Sequence, residues 1–79
     1  MTKSEIKNQI EELKEENEEM DVEQEKRDHP NYVEMMTENS RDIKLLSYAV
    51  ENATDEDLTN CQLSLPGRVS VMRWAKKHM

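Results

Sequence analysis

Two long stretches of this sequence carry an apolar or neutral residue every three or four positions, and one interruption, Asp28-His29-Pro30-Asn31, separates them. The first seam is Ile6, Ile10, Leu13, Asn17, Met20 and Gln24; the second is Tyr32, Met36, Asn39, Ile43, Leu46, Val50 and Ala53. Steps of three and four align residues along one side of an α-helix, so the pattern predicts two heptad helices. The first is expected over 3–27, with Thr2 and Glu5 at capping-box spacing and Ser4 as a weaker cap. The second is expected over 31–53, where Asn31 stands three before Glu34. His29 precedes a proline and is steered away from the α region, which fixes the break.

Facing residues in an antiparallel pair keep a constant number sum. At a sum of 56 the layers are Ile6–Val50, Ile10–Leu46, Leu13–Ile43, Asn17–Asn39, Met20–Met36 and Gln24–Tyr32. Like meets like in nearly every layer, and the turn falls on the Asp28–Pro30 break. A shift to 63 sets Asn17 against Leu46, which strands a buried amide at a cost of about 1–3 kcal/mol. A parallel dimer of the first helix is the rival, because a buried Asn at an a position often marks one. It would oppose Glu16 to Asp21 and Glu23 to Asp28, both repulsive. The expectation is therefore an all-α fold built on an antiparallel, coiled-coil-like helical hairpin, with Asn17 and Asn39 meeting in its seam. Met35, Leu45 and Ala49 widen the apolar face of the second helix beyond a strict seam, so that face should touch two neighbours.

Beyond the hairpin, Thr54-Asp55-Glu56-Asp57 reads as a cap opening a short turn through Leu58 and Cys61. Ser64-Leu65-Pro66-Gly67 reads as a loop, with Ser64 as a cap and Pro66 near a first helical turn. A short basic C-terminal helix is expected over 66–78, with Val71, Met72, Ala75 and Met79 on one face and Trp74 at its edge. The whole of 1–79 is then one helical domain.

Composition strains that domain. Leu, Ile and Val number only 14 of the 79 residues, Phe is absent, charged residues make up 37% and the net charge is -7. A chain so polar borders on the compositions that stay disordered, and small chains of this kind need a staple. Cys61 is a lone cysteine and His29 and His78 have no cysteine pair at metal spacing, so neither a disulfide nor a structural metal is expected. Self-association, giving a homo-oligomer, or a partner is the remaining staple. The acidic start resembles no secretory signal and no run of about 18 apolar residues exists to span a membrane, so a reducing cytoplasm is expected, the host's if so small a chain is viral.

Charge is segregated along the chain. Residues 1–28 carry a net of -6 and residues 29–63 a net of -5, whereas residues 64–79 carry +4 through Arg68, Arg73, Lys76 and Lys77 with no acid. Three roles suit the basic tail. It docks on the acidic hairpin of its own chain or a neighbour's, with charge setting the orientation and Met72 and Trp74 supplying buried area. Alternatively, Ser64, Gly67 and Arg68 cradle a small anionic, nucleotide-like ligand at a helix start, with Arg73, Lys76 and Lys77 adding charge. Nucleic acid is the weakest of the three, because the overall acidity opposes it. The acidic rows are either solvated helix surface or a face for a protein with a basic surface, whose attraction would fade with salt.

Nothing in the chain calls for catalysis. Carboxylate pairs such as Glu11 and Glu15 lie on an open helix face without the apolar pocket that tunes a pKa. Cys61 reads as a buried structural thiol, His29 as a turn residue, His78 as frayed tail, and Trp74 as a packing or interface anchor. No cofactor is called for. The expected function is a non-enzymatic interaction protein, oligomeric, that regulates or inhibits a macromolecular partner. The alternatives are an oligomeric binder of small anions and a pure assembly component.

Overall fold

The computed structural model describes residues 2–64 and 67–79, which form four helices and no strand: α1 (Lys3–Lys26), α2 (Tyr32–Asn52), α3 (Asp55–Ser64) and α4 (Gly67–His78). Thr2 caps α1 by accepting a hydrogen bond from the Glu5 backbone N–H at 3.2 Å. The chain leaves α1 in extended backbone at Arg27. Gln24 then closes the turn, donating to Asp28 and accepting from the His29 N–H, each at 3.0 Å. His29 stacks on Tyr32 at 4.3 Å. Asn31 departs from expectation, for its backbone is already helical and its side chain makes no capping bond.

α1 and α2 pack as a hairpin. Three cross-helix hydrogen bonds report its register. Asn17 donates to the Met36 carbonyl at 3.5 Å and to the Ser40 hydroxyl at 3.3 Å, and Asn39 donates to Glu16 at 3.3 Å. The residue numbers across these bonds add to 53, 57 and 55, close to 56 and far from 63. The amide pair itself is a correction. Asn17 and Asn39 share no bond, and Asn17 Oδ1 is buried without a partner. The Met36 carbonyl can only accept, so it turns the Asn17 NH2 towards α2 and leaves Oδ1 behind.

The second correction concerns 54–64. Instead of a short turn, Asp55–Ser64 is a ten-residue helix. Thr54 and Asp57 close a reciprocal capping box at its start, the Thr54 N–H donating to Asp57 at 3.0 Å and the Asp57 N–H to Thr54 at 3.1 Å. Ser64 is consequently the last residue of α3 rather than the cap of the next helix, and α4 begins at Gly67. The expected place of Pro66 in a first turn lies outside the described residues.

α4 packs on both α2 and α3. The core gathers at that end: Ile6, Ile10 and Leu13 from α1, Leu46 and Ala49 from α2, then Ala53, Leu58, Cys61, Val71 and Ala75. Ser70 is buried among them and donates to the Cys61 carbonyl at 2.6 Å, tying α4 to α3. The molecule measures 45 × 21 × 20 Å, so the hairpin extends well beyond this packed end. Among the described residues no helix is long and apolar enough to cross a membrane.

Candidate functional site

The residues singled out in the basic tail lie at the end of α3 and along α4. Arg68 is half-buried at the start of α4, while Arg73, Lys76 and Lys77 are exposed. At about 100° per residue, Val69, Arg73, Lys76 and Lys77 fall within roughly 100° of arc, a basic stripe on the solvent side of α4. Ser64 ends α3 and Gly67 opens α4. The cavity between α3 and α4, about 350 Å³, is lined by Asp57, Asn60, Cys61, Ser70 and Trp74. None of the four bases lines it, and the Asp57 carboxylate there opposes an anion.

The tail docks on the rest of the chain, but not through charge. Among the described residues the one ion pair is Lys14–Glu11, at 3.8 Å within α1. Val71 and Ala75 are buried and Met72 and Trp74 pack beside them, so α4 is held by apolar contact. Met79, expected on that face, is 57% exposed. His78 is not frayed. Its ring stacks on Trp74 at 4.2 Å, Nδ1 lies 2.8 Å from the Trp74 carbonyl, and its own carbonyl accepts from the Tyr48 hydroxyl at 2.8 Å. That bond pins the end of α4 to α2.

A different surface stands out at the far end of the hairpin. Met35, Asp42 and Ala49 are spaced by seven and share one stripe of α2. Where α4 lies over α2 the stripe is covered, and Ala49 is fully buried; nearer the turn, Met35 is 47% exposed. Beside it runs a groove of about 310 Å³, lined by Glu16, Glu19, Met20, Glu23, Tyr32 and Met35. Glu16, Glu19 and Glu23 follow helical spacing of three and four, which aligns their carboxylates along one wall. Val22, half exposed, lies with Glu18, Glu19 and Glu23 around an adjoining depression. Residues 15–40 hold ten acids and two bases, a net of -8.

Sequence reasoning gave Met20 and Met35 structural roles and named the acidic rows only as a class. The available signal was the width of the α2 face. It asked for two neighbours, and it has them only in the half that α4 covers.

Two groups elsewhere are electrostatically perturbed. The backbone N–H of Thr54 beside Asp57, with the Thr54 side chain second, holds that carboxyl below the usual aspartate value. Burial first, and the nearby Asp57 charge second, push the Cys61 thiol up, so it is a poor nucleophile where it lies. Among the described residues no group of three or more His, Cys, Asp or Glu side chains could hold a metal ion. Comparison of the chain with protein-family models, curated proteins and solved structures finds no match.

Proposed function

We propose that this chain is a non-enzymatic interaction protein whose hairpin end binds a macromolecular partner presenting a basic surface, and that it regulates or inhibits the partner by covering that surface. The observation that carries this reading is the uncovered stripe at Met35, flanked by the carboxylates of Glu16, Glu19 and Glu23. An exposed apolar strip rimmed by charge of one sign is how helix-in-groove recognition is built: apolar anchors supply affinity and the rim selects a partner of opposite charge. The carboxylates stand in water, without the enclosure that would tune one of them for proton transfer.

The test is titration of the full chain with a synthetic lysine–leucine amphipathic helical peptide, followed by amide chemical shifts. Shifts should concentrate at Glu16–Glu23 and Tyr32–Met35. Replacing Glu19 and Glu23 together by Lys should weaken binding at least tenfold, while the same exchange at Glu51 and Glu56, near the other end, should change it less than twofold. Equal losses from both exchanges would mean unspecific attraction to an acidic protein and would end the proposal.

A further inference from the structure

The protein carries its own candidate for this groove, and we infer that the groove at the hairpin end receives the basic outer face of α4 from a second copy, so that copies associate head to tail. The inference rests on the groove being a binding surface, as proposed above, and names an occupant for it.

Three observations point to that occupant. The first is complementary charge at opposite ends of one elongated molecule. Residues 15–40 carry -8, while residues 68–79 carry four bases and no acid. The second is that neither charge is neutralised within the chain, since the one ion pair among the described residues is Lys14–Glu11. The C-terminal end of α4 is pinned at Tyr48, about 20 Å along α2 from Met35. Among the described residues no base of α4 pairs with an acid of the hairpin, which leaves both charged faces open to a second chain. The third is that both faces carry apolar as well as charged groups. The outer face of α4 presents Val69, 48% exposed, among Arg73, Lys76 and Lys77, and the groove presents Met35 among Glu16, Glu19 and Glu23, with Val22 in the adjoining depression.

The contact joins two different surfaces, so it is heterologous and leaves a free end on each copy. Such contacts build rings or open chains rather than stopping at a symmetric dimer. Its size limits its strength. α4 is 12 residues long, so it offers a strip about 18 Å by 10 Å, well short of the roughly 800 Å² per partner of a standard interface. Association is accordingly weak, concentration-dependent and governed by charge. Screening contracts from about 10 Å at 0.1 M salt to about 3 Å at 1 M, so high salt dissolves it.

Sedimentation velocity on the full chain tests this with two charge-reversed variants, Lys76→Glu with Lys77→Glu and Glu19→Lys with Glu23→Lys. All four residues are exposed, and circular dichroism checks that the helices persist. The expected result has four parts. Wild type grows in mean mass with concentration at about 0.1 M salt and reverts to monomer at about 1 M. Each variant alone is at least tenfold weaker in association. An equimolar mixture of the two variants associates again, because each supplies the complement of the other's altered face. A wild type that stays monomeric at millimolar concentration overturns the inference, as does association that either variant retains, or a mixture that fails to recover. The lysine–leucine peptide separates this from the broader reading. If wild type stays monomeric yet the peptide still binds at Glu19 and Glu23, the second copy is the wrong occupant and the groove stands. If neither copy nor peptide binds, both readings fall.

Discussion

Asn17 makes two hydrogen bonds with its NH2 group and none with its buried carbonyl oxygen. A buried acceptor left without a partner costs about 1–3 kcal/mol, while each neutral hydrogen bond returns only about 0.5–1.5. The residue is therefore close to neutral for stability and useful for alignment, as polar seam residues often are. Asn17→Leu should raise the thermal midpoint by about 4–8 °C, equivalent to roughly 1 kcal/mol in a domain of this size. A comparable fall in a melting experiment would show the amide to be an anchor instead. The seam position was legible, since heptad spacing is local. The partner was not, because it depends on which carbonyl the hairpin packing presents, and Met36 with Ser40 displaced Asn39. Asp57 is the other residue with a measurable signature. Its folded pKa is depressed, so the capping box contributes stability that is complete above the unfolded value of about 3.9 and is lost as pH falls through the lower folded value. The melting difference between wild type and Asp57→Asn should hold constant above about pH 5 and close below it as the carboxylate protonates. A difference that persists unchanged to strongly acidic pH would mean that charge plays no part in the cap.

At the scale of elements, α3 shows what local pattern misses. Its buried apolar residues include Leu58 and Cys61, three apart, too thin a signal in a short segment to distinguish a helix from a turn. The Thr54–Asp57 box was visible and the helix it starts was not, because α3 is stabilised by packing on α4 rather than by its own amphipathicity. Ser70 makes that packing testable. Its hydroxyl bonds the Cys61 carbonyl in a buried setting, so Ser70→Ala should cost about 1 kcal/mol. The seam between α3 and α4 would then open more often, and alkylation of Cys61, which is 7% exposed, should accelerate about fivefold. An unchanged alkylation rate alongside a lowered melting point would place the lost stability outside this seam.

The whole molecule divides into a three-layer end and a two-helix end. The hairpin, its turn and its register were readable from apolar spacing because α1 and α2 are neighbours in sequence. The groove was not, because it depends on how much of α2 the packing of α4 covers, and that packing joins residues far apart in sequence, such as Tyr48 with Trp74 and His78. Layer number should govern local stability. Around Leu46 and Ile6 helices are sealed on several sides, whereas around Met20 and Met35 two helices share one seam with water on its outer face. Regions with few buried apolar contacts open at a fraction of the global free energy. Hydrogen exchange at low protein concentration should therefore show the amides of 16–24 and 32–38 exchanging at least tenfold faster than those flanking Leu13 and Leu46. Raising the concentration at low salt should slow the exchange at the hairpin end selectively, because a helix from another copy then supplies the missing layer, and salt should reverse the change. Uniform protection along α1 at every concentration would show that the two-helix end is stable unaided, and the open groove would lose its standing as the soft, partner-seeking part of the molecule.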